Sequence, residues 1–313
     1  ANNFLALNTN SAMNSLYYGK AHGTGQVHFF GNPKDMHLDL TMRTERGTRF
    51  NIPLFGAKNV NESDFITFVK PEGEEDKIEI DDEFKVTFKN LTLDMDVEVT
   101  SDAEVQLIFD PQVGDIIKGR GDGDINISMD RSGNFKMFGD YYINKGEYLF
   151  TLQNIINKKF LIQQGGTINW SGSPYDALIN IEARYGVRTA LYDLMYPDTS
   201  DIYRRRIQVD CILKMTDNLL NPNIAFDIDL PNSDEGTRTD VRNKIGVGNV
   251  QEMNRQVFGL LVLNRFFPTE DQNQALQQAG GFFSSSSAEM VSNQLSNWLS
   301  KISNDFDIGL NYR

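Results

Sequence analysis

Apolar and polar residues alternate with a period of two through most of the chain up to Pro231. Leu93, Met95 and Val97, for example, alternate with Asp94 and Asp96. Successive side chains of a β-strand point to opposite faces, so the pattern predicts strands with one apolar and one polar face. About a dozen such segments occur, and they lack the helical spacers of βαβ units. The sequence therefore predicts a mainly β fold with an antiparallel-rich sheet.

Glycine, asparagine and proline interrupt the alternation at places that predict turns, because glycine adopts positive φ at no steric cost. Within the glycine-rich stretch 119–185, the predicted turns are 131–134, 144–146, 164–166 and 171–174. Two earlier turns are predicted at 46–48 and 100–102. The second of these would join 91–99 and 103–109 as an antiparallel pair with one apolar and one strongly anionic face.

The period changes to that of helices after Pro231. A short polar helix is expected within 233–248, ended by Gly246 or Gly248. A longer amphipathic helix is predicted over 251–267, where Pro268 stops it. Its apolar stripe includes Val257, Leu260, Leu261 and Phe266.

The last predicted helix spans 286–302 and begins with a capping box formed by Ser286 and Glu289. Its apolar stripe includes Val291, Leu295, Trp298 and Leu299. The sequence thus predicts a β domain over 1–232 and a helical cap segment over 233–303. A flexible linker is expected near 269–285, and 304–313 read as the start of a further strand, as in a piece of a longer chain.

Composition and charge narrow the classes of function. The chain has 313 residues and a net charge of −13, with no basic stripe. A nucleic-acid-binding protein is therefore not expected. The single cysteine, Cys211, lies within an apolar strand pattern and is predicted to be buried. No apolar run is long enough to span a membrane as a helix.

Catalytic and metal-binding motifs are absent from the sequence. There is no nucleophile elbow, Walker loop or zinc-protease motif, and the three histidines do not have ligand spacing. Asp122, Asp124 and Asn126 resemble the start of a calcium loop that lacks its glycine and glutamate. Asp94 and Asp96 fit a solvated strand face. The sequence therefore predicts a protein that is not an enzyme and needs no cofactor or metal.

The aligned apolar faces of the strands leave two interpretations open. They could close into a dry core, or they could leave a trough wide enough for a ligand. Methionine, which adapts its shape to apolar ligands, recurs on the inward positions. These positions are Met36, Met42, Met95, Met129 and Met137. An uncovered trough would need lipid, a partner or a lid, and the helices at 251–267 and 286–302 could plug it.

The residues expected to line such a trough come from the central strands. They are Leu93, Met95, Val97, Val105, Leu107, Phe109, Ile125, Ile127, Met129, Phe135 and Met137.

Several motifs together resemble the C-terminal domain of the TamB family. They are GDYYINKGEY at 139–148, FLIQQGGTINWSG at 160–172, Pro174 and ALINIEA at 177–183. They match the family pattern of a strand, G-x-Y, a strand ending in G-x-I-x-[FW]-x-G, a proline and L-x-I-x-A. Segments elsewhere are also similar, so the resemblance covers nearly the whole chain.

The resemblance implies a long sheet folded over as a β-taco with an apolar groove. It also implies a periplasmic protein of Gram-negative bacteria, anchored in the inner membrane when complete and similar to AsmA-like bridge-like lipid transfer proteins. Family members are thought to carry phospholipid between the inner and outer membranes and to support outer-membrane protein assembly. Their partner is an outer-membrane barrel of the Omp85 class, either TamA or BamA. The resemblance implies no catalytic residues in this chain.

Two functions follow as hypotheses. The first is lipid binding or transfer through the inward apolar face. The second is a protein-assembly scaffold without lipid transport, which docks the barrel by strand addition or through the helices.

Overall fold

The structure is a computed structural model that describes residues 2–13, 17–32, 35–54, 91–110, 115–132, 134–152, 156–198 and 200–269. Several predictions lie outside these residues. They are the helix at 286–302, most of the linker at 269–285 and the strand at 304–313.

The fold is mainly β, with 60% of the described residues in strands and 15% in helices, and the strands form a 13-stranded sheet. This confirms the predicted fold class; the β-taco shape itself stays a prediction. The strands are β1 Phe4–Thr9, β2 Tyr18–Asn32, β3 Asp35–Thr44, β4 Arg49–Pro53, β5 Leu91–Val99, β6 Glu104–Asp110, β7 Asp115–Met129, β8 Phe135–Leu152, β9 Ile156–Ile162, β10 Gly166–Gly172, β11 Leu178–Thr189, β12 Ile207–Asn218 and β13 Asn221–Asp229. The helices are α1 Tyr192–Met195, α2 Glu235–Ile245 and α3 Val250–Leu263, with a 3₁₀ turn at Asp201–Arg204.

The chain divides into two compact units. Unit 1 contains residues 1–146 and 164–179, and unit 2 contains 147–163 and 180–313. This division follows spatial contacts. The predicted division between residues 232 and 233 follows the change from strand to helix patterning and stays a prediction.

Unit 1 is a sheet with the strand order β10-β8-β7-β5-β3-β2-β4-β6, in which β1 also pairs with β2 and β6 also pairs with β7. Its ladders are antiparallel except for β3–β5 and β4–β6, which are parallel. The sheet is therefore antiparallel-rich, as predicted.

Strands β3 and β4 run in the same direction along β2 and are separated by a bend in the chain, called a corner here. The two strands and their corner are referred to as the first course of the chain. Between the pairs Gly23–Thr44 and Lys20–Arg49, four residues of this course face two residues of β2. The extra residues bend the course without reversing it, so both strands run antiparallel to β2. Because the excess is even, the apolar residues stay on the same face after the corner.

Strands β5 and β6 repeat this arrangement beside the first course. Between the pairs Val99–Gly123 and Val105–Gly119, five residues of the second course face three residues of β7. The predicted antiparallel pair of 91–99 and 103–109 is therefore wrong. Residues 100–103 form a corner instead of a reversing turn, and both strands pair with β7.

Other turn predictions have mixed outcomes. Gly165 has a φ of 95° between β9 and β10, and 171–174 leave β10, so both breaks are confirmed. The turn predicted at 144–146 is wrong, because β8 continues through it. Ile143, just before this site, pairs with Gly166 of β10.

Unit 2 holds the remaining strands and the helices. Strands β12 and β13 form a hairpin in which Cys211 pairs with Ile228. Cys211 is fully buried, as predicted, and burial raises the pKa of its thiol to about 12. The ring of Phe150 contacts those of Phe160 and Phe226 edge to face at 5.9 and 6.0 Å.

Asp234 caps the N-terminus of helix α2, because its carboxylate accepts a hydrogen bond from the backbone N–H of Thr237. Gly246 caps the C-terminus, so the helix ends where predicted. Helix α3 ends earlier than the predicted 251–267. Asn264 adopts the left-handed conformation and turns the chain back along the helix. The buried amide of Gln256 then pairs with both the N–H and the carbonyl of Phe267.

Candidate hydrophobic cavity

The apolar residues of β3, β5 and β7 align into rows on one face of unit 1. The rows are Leu38–Leu93–Met129, Leu40–Met95–Ile127 and Met42–Val97–Ile125. Between them, Asp94, Asp96 and Glu98 are exposed on the opposite face. The period-two pattern of these three strands is thus in register, so a continuous apolar surface forms.

The corners give unit 1 two arms that face each other. The first arm consists of β3, β5, residues 123–129 of β7 and the start of β8. The second arm consists of β4, β6 and residues 115–119 of β7. Residues from both arms line one cavity of about 350 Å³.

The lining of this hydrophobic cavity contains no charged side chain. It consists of Ala6, Leu7, Tyr17, Ala21, Leu38, Leu40, Met42, Thr44, Thr48, Phe50, Ile52, Leu91, Leu93, Met95, Val97, Val99, Ala103, Val105, Ile125, Ile127, Met129, Phe135, Met137, Tyr141 and Trp170.

All the residues predicted to line a trough are among these except Leu107 and Phe109. Leu107 is 1% exposed and belongs to the core of the second arm, and Phe109 is half-buried there. The lining positions of β5 are half-buried, not sealed by their neighbours. Lipid binding by these residues stays a prediction.

The polar atoms of the lining threonines already have partners. The hydroxyl oxygen of Thr44 accepts a hydrogen bond from the backbone N–H of Thr100 at 2.8 Å. The hydroxyl of Thr48 donates to the carbonyl of His22 at 3.0 Å. The indole N–H of Trp170 donates to the carbonyl of Pro174 at 3.1 Å. These groups therefore offer an occupant mainly hydrocarbon contact.

Tyr141 is a lining residue with a buried hydroxyl that has no hydrogen-bond partner among the described residues. Burial raises the pKa of this phenol, and the nearby carboxylate of Asp122 raises it further. Tyr141 is therefore neutral at physiological pH.

The sequence predictions missed several lining residues. Leu38 and Leu40 of β3 alternate with polar residues as clearly as the apolar residues of β5 do. The period-two pattern could therefore have identified them as lining residues. Phe50 also alternates, with Ile52 and Leu54, but the pattern does not show that the corner brings its strand over the first arm. Tyr17 had no such signal.

The opposite face of the first arm is polar. Arg43 pairs with Glu98 at 3.2 Å, and the amide of Asn126 donates to Asp96 at 2.9 Å. Acidic side chains at this face pair with basic and amide side chains of the neighbouring strands. Among the described residues, no group of three or more histidine, cysteine or acidic side chains could hold a metal ion.

The helical residues predicted to cap the groove or meet a partner are placed in unit 2. Val257, Leu260, Leu261 and Phe266 are at most 1% exposed. Helix α3 contacts β9, β12 and β13, so these side chains belong to the core of unit 2. Their role as a cap or partner contact stays a prediction. Val291, Leu295, Trp298 and Leu299 lie outside the described residues.

No helix in the described part of the chain combines the length and apolarity needed to cross a membrane.

Comparison with known proteins identifies one family. A family model described as the TamB C-terminal domain matches residues 1–313. No curated protein matches the chain.

Proposed function

The chain belongs to the TamB C-terminal domain family, a non-enzymatic component of the translocation and assembly module of the Gram-negative envelope, and we propose that its unit 1 binds the hydrocarbon chain of a phospholipid. The family is associated with the partner TamA. In this proposal the domain works in the periplasm as part of a bridge that moves phospholipid between the two membranes. An Omp85-class barrel, TamA or BamA, would receive it at the outer membrane.

The observation that carries this proposal is the uncharged cavity between the two arms. Its volume lies at the lower end of the range for ligand pockets, roughly 300–1,000 Å³. The polar groups of the lining threonines and tryptophan already have hydrogen-bond partners within the protein. A phospholipid headgroup would therefore lose hydrogen bonds to water that these groups cannot replace. An acyl chain loses no hydrogen bonds on entry and gains about 0.8 kcal/mol per buried methylene.

Photo-crosslinking at matched positions tests this proposal. A photo-reactive amino acid at Met95 faces the cavity, whereas one at Asp96 faces the opposite side of the same strand. We expect phospholipid adducts at Met95 and none at Asp96 when the protein is expressed in a Gram-negative host. Native mass spectrometry of the unmodified protein should show a co-purifying phospholipid. Absence of bound lipid by both methods would contradict the proposal.

A charged substitution in the cavity gives a second test of lipid binding. Met95→Lys places a cation among hydrocarbon side chains, and its long stem lets the ammonium reach solvent with the fold retained. We expect loss of bound phospholipid with unchanged circular dichroism. Asp96→Lys makes a larger change of charge on the polar face and should leave lipid binding intact.

Strand β2 supports the second hypothesis, a scaffold that docks the barrel by strand addition. Pairing of β1 with β2 stops at Gly23, and no second strand among the described residues pairs with Val27–Phe30 opposite β3. Val27, Phe29 and Phe30 are 47%, 65% and 51% exposed. An apolar edge of this kind is the surface used in strand addition.

Partner capture separates this hypothesis from lipid binding. Phe29→Lys should abolish capture of the purified barrel and leave bound phospholipid unchanged. Removal of residues 286–302 tests the last predicted helix in the same assay and leaves α3 in the core of unit 2. If capture is lost only with this segment, the edge of β2 is not the contact.

A further inference from the structure

Three aromatic rings form a wall across the hydrophobic cavity. The ring of Tyr17 stacks on that of Phe50 with 5.7 Å between centroids and on that of Phe135 with 5.4 Å, at an interplanar angle of 29° in both cases. Phe50 belongs to β4 in the second arm, and Phe135 begins β8 in the first. Tyr17 therefore bridges the two arms.

Tyr17 stands between the cavity and solvent. It lines the cavity and is also half-buried, so the residue is not enclosed in the core of unit 1. Phe50 and Phe135 also line the cavity and are half-buried, but each belongs to a single arm. Tyr141 and Trp170 are 2% and 4% exposed and belong to the core of unit 1. Among the described aromatic residues of the lining, Tyr17 is therefore the one that is partly exposed and spans the gap between the arms.

The wall is rigid, whereas the methionine part of the lining is adaptable. Met42, Met95, Met129 and Met137 line the cavity, and methionine side chains adjust to the shape of an apolar ligand. An aromatic ring has two side-chain torsions, and the ring of Tyr17 stacks on two other rings. The methionines can thus accommodate the path of a chain, whereas the rings cannot yield to a longer one.

We infer that Tyr17 determines the length of the hydrocarbon chain that the cavity holds. This inference rests on the proposed function and adds a specificity-determining residue to it. The cavity, at about 350 Å³, has room for one chain of limited length. In this inference that chain ends at the ring of Tyr17, which closes the gap between the arms.

A homologous series of saturated fatty acids tests the inference by displacement of a fluorescent naphthylamine probe from the full chain. For the unchanged protein, affinity should rise about fourfold per added methylene until the chain meets the wall. Beyond that length it should stop rising. Tyr17→Ala removes the wall, so the rise should continue to longer acids. Tyr17→Phe keeps the ring and should retain the original limit.

Two further variants keep the test decisive. Tyr17→Trp enlarges the wall and should shorten the limit, which supplies an answer if the alanine variant fails to fold. Phe138→Ala removes an aromatic residue that is 42% exposed and lines a depression on the polar face, so it should change nothing. If alanine and tryptophan variants that bind fatty acids keep the original limit, Tyr17 is not the determinant. If the unchanged protein binds no fatty acid, the proposed function fails instead.

Discussion

Tyr141 shows how single residues shape the interior of unit 1. A Cβ at Gly121 would lie 2.0 Å from the carbonyl oxygen of Tyr142, and one at Gly123 would lie 2.3 Å from that of Asp140. Only glycine permits this close approach of β7 to β8. A Cβ at Gly119 would lie 3.9 Å from the Tyr141 hydroxyl, so the tyrosine occupies space beside the glycines.

The unpartnered hydroxyl of Tyr141 gives a prediction at this scale. Tyr141→Phe removes a buried polar group and keeps the ring, so the free energy of unfolding should stay the same or rise by up to about 1 kcal/mol. Tyr141→Ala should lower it by about 3–5 kcal/mol, because it leaves a cavity. Urea unfolding measures both. A clear loss in the phenylalanine variant would show that the hydroxyl has a partner, such as a buried water.

The corner is the element that sequence patterning did not predict. Alternation identifies which residues of β5 and β6 face inward, since that depends only on the period of two. Whether Thr100–Ala103 reverses the chain or bends it depends on contacts with Thr44 and Asp122, which are distant in sequence. The same polar residues are found in reversing turns and in bends. The sequence therefore could not show that β5 and β6 both pair with β7 and do not form an antiparallel pair with each other.

The helices show the same limit. The end of α2 at Gly246 is a local signal and was predicted. The cap at Asp234 is also local, but the sequence prediction did not identify it. The early end of α3 depends on the bonds between Gln256 and Phe267, which no periodic pattern records. Phe266 therefore lies beyond the helix, though it is buried as its place in the stripe suggested.

Asp122 gives a prediction at the scale of the corner. Its carboxylate accepts hydrogen bonds from the amide of Asn144 and from the backbone N–H and hydroxyl of Ser101. The bond from Asn144, followed by those from Ser101, lowers the pKa of Asp122 below its ordinary value of 3.8. Its stabilising effect is therefore fully present above that value and is lost as the pH falls through the lower pKa of the folded state.

Asp122→Asn should accordingly lower stability at neutral pH, and the difference from the unchanged protein should narrow as the pH falls below 3.8. Thermal unfolding followed across this range measures the effect. Asp124→Asn, on the same exposed face of β7 but outside the corner, is the matched control. A difference between Asp122→Asn and the unchanged protein that stays constant with pH would mean that the charge of Asp122 does not support the corner.

For the whole molecule, the sequence was most informative about the inward face of the first arm. The predicted residues of β5, β7 and β8 all line the cavity, because alternation and register agree there. Leu107 and Phe109 were assigned to the same trough, since alternation continues into β6. The corner carries them into the second arm, where they lie outside the cavity lining. Periodicity thus predicts the face of a residue but not the arm to which it belongs.

Ligand binding gives a prediction that distinguishes the two units. A ligand that binds only the folded state stabilises it by about 2.7 kcal/mol at roughly 100 times its dissociation constant. Because the hydrophobic cavity lies in unit 1, a saturated fatty acid should slow hydrogen exchange in β3, β5 and β7. The amides of β12 and β13 in unit 2 should be unaffected. Exchange measured by mass spectrometry with and without the fatty acid tests this.

The distribution of hydrogen-exchange protection along the chain distinguishes fatty acid bound at a specific site from fatty acid adsorbed on the surface like a detergent. Adsorbed fatty acid would follow exposed apolar surface, so protection would also occur around exposed residues such as Val247 and Leu161 of unit 2, which are 88% and 59% exposed. Met95→Lys should abolish the protection in β3, β5 and β7, and Asp96→Lys should preserve it. Equal protection of both units, unchanged by Met95→Lys, would contradict a binding site between the arms.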